Sequence, residues 1–258
     1  MGLMTVVWIG AGNLATRIAL AMRAAGITIL QVYSHTEAHA AALAQLLDCA
    51  WTSEVSAVRP DADYYFFALK DTALPEVVAQ LSPNEGTWVH TAGSMPMALF
   101  AGHAKRYGVC YPLQTFSKTR TVDVSKVPFF IEGSDAETEE RLCALAGLLS
   151  KSVQRLPSAK RKSLHLAAVF ACNFVNHLYV LGGELLEKEG IDARLLLPLI
   201  DETAAKVHDM SPLAAQTGPA VRYDENVIQK QLAQLEADPT KREIYALMSQ
   251  SIHQHSKS

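Results

Sequence analysis

Residues Thr5–Ala15 read T-V-V-W-I-G-A-G-N-L-A, an apolar run of strand length that passes straight into G-x-G-x-x-A and then into a helical pattern. A strand, a tight glycine turn and a helix start, in that order, form the fingerprint of a dinucleotide-binding βαβ unit. Gly10 permits the sharp turn, Gly12 lets a pyrophosphate approach the backbone, and Ala15 lets the helix pack closely on the strand. The helix N-terminus then offers free N–H groups and the positive end of its dipole to phosphate. Ala11, Asn13 and Leu14 complete the loop expected to line the cofactor.

Up to about residue 155, short apolar runs alternate with helical patterns. The expected strands are Met4–Ile9, Thr28–Tyr33, Tyr64–Leu69, Thr87–His90, Gly108–Tyr111 and Pro128–Glu132. The expected helices are Asn13–Ala25, Glu37–Leu47, Ala73–Leu81 and Ala136–Leu149, with Gly26 capping the first. This alternation predicts a doubly wound, mostly parallel sheet. After Pro157 the pattern turns wholly helical: Ser158–Glu189 ending at Gly190, then Ala193–His208, Glu225–Glu236 with Asp224 as N-cap, and Thr240–His253. Gly182-Gly183 is expected to bend or interrupt the long helix. The reading places a dinucleotide-binding domain at 1–154 and a helical substrate and dimerisation domain at 155–258.

An acidic residue normally ends the second strand of an NAD site and binds the ribose hydroxyls. Here that strand runs into Ser34-His35-Thr36, with Glu37 arriving late. Uncharged and weakly basic donors accept a 2′-phosphate that a carboxylate would repel, so NADP is the expected cofactor. No Arg stands in this loop. Three further segments follow apolar runs: Ala68-Leu69-Lys70-Asp71, His90-Thr91-Ala92-Gly93-Ser94 and Tyr111-Pro112-Leu113-Gln114-Thr115-Phe116. Ligands of open parallel sheets bind beyond the carboxyl ends of the strands, so these segments are expected to converge on one crevice.

The motifs G-A-G-N-L-A, A-L-K-D, H-T-A-G-S and Y-P-L-Q-T-F resemble those of the Rossmann-like NADP oxidoreductases that carry an uncharacterised helical C-terminal domain. His165–Phe170 and Thr217–Asp224 extend the resemblance over nearly the whole chain. The group is related to pyrroline-5-carboxylate reductases, prephenate dehydrogenases and β-hydroxyacid dehydrogenases, and its architecture is 6-phosphogluconate-dehydrogenase-like. The resemblance implies that Asn13, Leu69, Lys70, Thr91, Ala92 and Gly93 lie near the cofactor. Two departures stand out. Tyr111-Pro112 replaces the His-Pro of prephenate dehydrogenases, and Lys162 is followed four residues later by Leu166 instead of the Asn of the β-hydroxyacid dehydrogenase motif.

His165, Cys172, Asn173, Asn176 and His177 interrupt the apolar helix after Pro157. On a regular wheel of about 100° per residue, His165, Cys172 and Asn176 fall near one line, a polar stripe that needs hydrogen bonds or a cavity. His165 is the expected acid or base for a carbonyl or imine centre, with Asn173 or Asn176 orienting substrate. Ser94, Gln114 and Arg222 are expected substrate contacts. Lys160-Arg161-Lys162 reads as a solvated face.

The 258 residues are 49% hydrophobic and carry 23 basic against 26 acidic side chains, so no basic footprint for nucleic acid is expected. The four scattered cysteines read as reduced core thiols of a cytoplasmic protein, and no metal site is expected. No stretch is expected to reach membrane-crossing length, and the apolar N-terminus lacks a basic leader. The apolar helical domain points to a homodimer. The expected activity is NADP-dependent hydride transfer to or from a small carbonyl, imine or hydroxy-acid substrate. The rival reading is a non-catalytic NADP-binding redox sensor or regulatory protein, which keeps the glycine turn without needing a proton donor. Reduction of a deazaflavin is a third fit.

Overall fold

The computed structural model describes residues 4–257. Its first unit is built on an eight-stranded sheet of order β3-β2-β1-β4-β5-β6-β7-β8. The strands are β1 Thr5–Ile9, β2 Thr28–Tyr33, β3 Ala50–Thr52, β4 Tyr64–Phe67, β5 Thr87–His90, β6 Arg106–Pro112, β7 Phe129–Gly133 and β8 Val153–Arg155. β1 pairs in parallel with both β2 and β4, so the chain reverses its winding there and leaves a switch point at the carboxyl end of β1. All six expected strands are present. The short edge strands β3 and β8 escaped the pattern because three residues carry too little periodicity to read.

β7 runs antiparallel to β6. A parallel return needs a crossover helix, and the connection between these strands holds only a single 3₁₀ turn at Val124–Lys126. The helices of this unit are α1 Asn13–Ala24, α2 Glu37–Leu47, α3 Leu74–Gln80, α4 Ala136–Gly147 and α5 Ser158–Ala168. Two apolar layers cover the sheet. Trp8, Ile18, Met22, Leu43, Phe66, Phe129 and Leu142 belong to one; Ile9, Tyr65, Phe67, Leu74, Trp88 and Phe100 belong to the other. Each fully buried large side chain contributes about 1.5–3 kcal/mol of transfer free energy. Within the second layer, Phe100 meets Trp88 edge to face with ring centroids 5.8 Å apart.

The compact units divide between Val169 and Phe170. α5 therefore packs with the sheet, beyond the expected boundary at 154/155, where the helical pattern begins. The second unit consists of α6 Val175–Lys188, α7 Leu197–Asp209, α8 Pro212–Ala215, α9 Pro219–Arg222, α10 Glu225–Gln234 and α11 Pro239–His255. Asp224 caps α10 as expected, its carboxylate accepting from the Val227 N–H at 3.3 Å.

Several expectations are corrected. Residues Val169–Phe174 are π-helical, so a regular 100° wheel fails across them, and His165, Cys172 and Asn176 do not form one buried stripe. Cys172, Asn173 and Asn176 are exposed in the chain. Gly182-Gly183 does not break α6; the pair faces the Ala193–Leu196 turn, where a Cβ on either glycine would meet the Leu196 or Ala193 side chain at 3.7 Å. Ser158–Lys188, 31 residues with a best-window mean hydropathy of 1.5, is long and apolar enough to cross a membrane by length and composition. The span includes uncharged polar residues such as His165 and Asn173, which interrupt its apolar runs without lowering the window average below that level. Of the four cysteines only Cys110 is fully buried, and Cys172 is exposed.

Candidate functional site

The site begins at the glycine loop between β1 and α1. Gly10 has φ +114°, and a Cβ placed there would lie 2.3 Å from the Ala68 carbonyl oxygen just beyond β4. Only glycine permits that approach, which also lets the Gly10 N–H donate to the Tyr33 carbonyl at 2.7 Å. Gly12 is different. Its backbone is extended, and nothing lies within 4 Å of a Cβ built on it. Gly12 is also the N-cap of α1, with no capping side chain and no acidic residue in the first turn. Unsatisfied N–H groups and the helix dipole thus open onto free space, which fits the pyrophosphate of a dinucleotide.

At the end of β2, Ser34 is buried and its hydroxyl accepts from the Thr36 N–H at 3.4 Å. Thr36 Oγ1 meets His35 Nε2 at 3.2 Å, and Thr36 takes the N-cap position of α2 without a side-chain bond to its amides. The group holds two hydroxyls and an imidazole but no carboxylate before Glu37.

Contacts link the loops at the carboxyl ends of β1, β4, β5 and β6 into a ring. Leu69 packs beside Gly10, Asp71 accepts a short hydrogen bond from Ser94, and Lys70 is exposed. Thr91 donates through N–H and Oγ1 to the Phe67 carbonyl, at 3.1 and 3.3 Å. A Cβ on Gly93 would lie 2.7 Å from the His165 ring, so this glycine makes room for the histidine. His165 Nδ1 meets the Tyr111 hydroxyl at 3.1 Å, their rings edge to face at 5.9 Å. The ring closes where the Asn13 amide donates to the Phe116 carbonyl at 3.1 Å and Arg17 Nε donates to the Ser117 carbonyl at 3.0 Å. Asn13 thus ties down the segment after β6. Gln114 is exposed, and its carbonyl accepts from the adjacent Thr115 N–H at 2.8 Å.

Behind the ring lies a charged network that sequence reasoning missed. Register sets His90, Val109 and Glu132 in one row across β5, β6 and β7. Arg161, expected on a solvated face, is fully buried. Its guanidinium donates to Glu132 at 2.5 Å, to the Met95 carbonyl at 2.6 Å and to Ser158 Oγ at 3.1 Å. A run of three cations gives no sign that the central one turns inward; the signal was Glu132, a lone carboxylate within an apolar strand. Burial pushes the Glu132 carboxyl up, but hydrogen bonds from Ser158 and Arg161, with the Arg161 charge, hold it below the usual range. Arg161 precedes His165 by one helical turn, so this pair fixes the helix that carries the histidine.

His90 is wholly buried. Burial, reinforced by the Arg161 charge, drives its pKa down to about 3. The folded state therefore keeps His90 neutral, while the unfolded chain binds its proton below about pH 6.5. Stability is full above that value and is lost as pH falls. Between pH 6.5 and 5, above the carboxylate range, urea unfolding should lose up to about 1.4 kcal/mol per pH unit. A His90→Gln variant that kept this slope would assign it elsewhere.

The remaining candidates belong to the second unit. Asn173 lies in the π-helical stretch and Asn176 in the first turn of α6. Arg222 ends α9, exposed, and makes no ion pair among the described residues; the adjacent Tyr223 adopts φ +52°. Among the described residues no three His, Cys, Asp or Glu side chains cluster to hold a metal.

Known proteins share this fold. Residues 5–89 match the family model described as NADP oxidoreductase coenzyme F420-dependent, and residues 127–252 match the domain of unknown function DUF2520. A candidate NADP oxidoreductase from Bacteroides fragilis superposes with a TM-score of 0.93 at 49% identity, over 98% of each chain. An imine reductase from Myxococcus stipitatus, solved with NADP+, shares the fold: TM-score 0.66, 18% identity, 98% of this chain and 94% of that one. A 1-pyrroline-5-carboxylate reductase from Streptococcus pyogenes does so at 0.64 and 12%, over 98% and 100%. No curated protein matches. With 49% identity to the Bacteroides protein across nearly its whole length, the chain belongs to the family of NADP oxidoreductases in which a Rossmann-type domain precedes a helical DUF2520 domain.

Proposed function

We propose that the protein is an NADP-dependent oxidoreductase acting on a small carbonyl, imine or hydroxy-acid substrate. The observation that carries this reading is the uncapped N-terminus of α1, facing open space at Gly12 on the sheet's switch point. The α1 amides with Ala11 and Leu14 would hold the pyrophosphate, and Ser34, His35 and Thr36 the ribose 2′-phosphate. Leu69, Lys70, Thr91, Ala92 and Gly93 would border the nicotinamide. The cofactor supplies or takes the hydride. His165 moves the proton at the substrate's oxygen or nitrogen, and Ser94 and Gln114 hold the substrate's polar groups.

We further read the protein as a cytoplasmic homodimer joined through its helical unit. Leu178, Val180, Leu185, Leu197, Leu199 and Val207 are exposed on α6 and α7, more apolar surface than a lone soluble domain normally leaves in water. The free cysteines agree with a reducing compartment.

Calorimetric titration with NADPH and NADH tests the cofactor assignment. NADPH should bind about 10-fold tighter, a modest margin because the 2′-phosphate meets hydroxyls and an imidazole instead of an arginine. If neither binds, the oxidoreductase reading falls. A deazaflavin belongs in the subsequent substrate screen beside carbonyls and imines, since the model matching residues 5–89 is described as coenzyme F420-dependent.

A further inference from the structure

We infer that Tyr111 is a positioning residue for His165: its hydroxyl, 3.1 Å from Nδ1, occupies that nitrogen and leaves Nε2 as the ring atom that exchanges a proton with substrate. This rests on the reading of His165 as the proton-transferring group.

Tyr111 lies near the carboxyl end of β6, buried, with its ring packed beside Phe130 at a centroid distance of 6.4 Å. Burial pushes its phenol above the ordinary value, against a smaller pull from the Arg161 charge. The hydroxyl therefore keeps its hydrogen at neutral pH. Nδ1 of His165 is the one hydrogen-bond partner it meets among the described residues. The hydroxyl oxygen accepts from Nδ1–H, so the neutral imidazole keeps its proton on Nδ1 and leaves the Nε2 lone pair free to take a proton. When the ring is doubly protonated, the same oxygen still accepts from Nδ1–H, and the Nε2 proton is the one given up. A hydroxyl thus serves both charge states of the histidine, which a phenyl ring does not.

The ring is held from three sides. Gly93 backs one side, where even a methyl group would collide with it. Tyr111 meets it edge to face. One turn earlier, Arg161 locks α5 to Glu132 and to the Met95 carbonyl. Only the hydroxyl contact distinguishes the two ring nitrogens; the other contacts fix position alone.

The test is ¹⁵N NMR of the imidazoles in the full-length, cofactor-free protein, with His165 assigned by its loss in His165→Gln. The wild-type neutral ring should carry its proton on Nδ1, as a hydrogen-bonded donor, with Nε2 resonating as the unprotonated nitrogen. Tyr111→Phe keeps the aromatic packing, and should move the Nδ1 resonance toward that of an unbonded imidazole while leaving NADPH affinity unchanged. With a substrate in hand, kcat should fall about 10-fold or more with KM little altered, as expected for a reacting group that has lost its alignment. A wild-type neutral ring protonated on Nε2, or an Nδ1 resonance identical in the two proteins, overturns the inference. Should Tyr111→Phe fail to fold, the wild-type proton position decides alone. The spectroscopic arm needs no substrate, so absence of any turnover would sink the oxidoreductase reading separately from the Tyr111 contact.

Discussion

Gly12→Asp should raise thermal stability slightly and weaken NADPH binding by about 100-fold or more, roughly 3 kcal/mol. The two effects have one cause. Gly12 is the N-cap of α1 in an extended conformation that any residue adopts, with open space around its Cβ. Aspartate is among the preferred N-cap residues, and its carboxylate would satisfy the free amides for a gain of about 1 kcal/mol. That carboxylate would stand where the pyrophosphate is assigned and repel it. Gly10→Ala provides the contrast. Its methyl would press on the Ala68 carbonyl at 2.3 Å with φ at +114°, so it should lower stability by about 2 kcal/mol or more before binding is considered. Paired measurements of melting temperature and NADPH affinity check both variants. Retention of wild-type affinity in Gly12→Asp would move the pyrophosphate elsewhere.

His165→Ala should lower kcat by about 10²–10⁴-fold, the usual contribution of a positioned acid or base. NADPH affinity should stay within about twofold, because α1 and the glycine loop do not depend on this ring. Stability should change little, since His165 is only partly buried, and the Arg161–Glu132 pair still anchors the helix. His165→Gln, nearer in size, guards against a cavity effect. Undiminished turnover in both variants, on a substrate the wild type reduces, would remove His165 from the chemistry.

The glycine loop was legible because its requirements are local: a strand, a turn and a helix start within eleven residues. Six strands were legible because each apolar run is bounded by turn residues. The Tyr111–His165 contact was not, because the partners lie 54 residues apart and only strand order with helix packing brings them together. Tyr111 was noticed solely as a departure from a His-Pro motif. Arg161 misled for the opposite reason: its neighbours Lys160 and Lys162 are exposed, and the local pattern hides the inward turn of the middle residue. The polar stripe beyond His165 failed because six π-helical residues reset the angular phase, which no wheel drawn at constant pitch detects.

The missing cap on α1 also governs how long a molecule of this protein survives. A helix that leaves its first amides to a bound anion is complete only in the liganded state, so dinucleotide supply adds directly to folding free energy. At a free concentration 100 times the dissociation constant the increment is about 2.7 kcal/mol, a roughly hundredfold drop in the unfolded population that proteases can reach. A cell short of dinucleotide would then lose the protein as well as its activity.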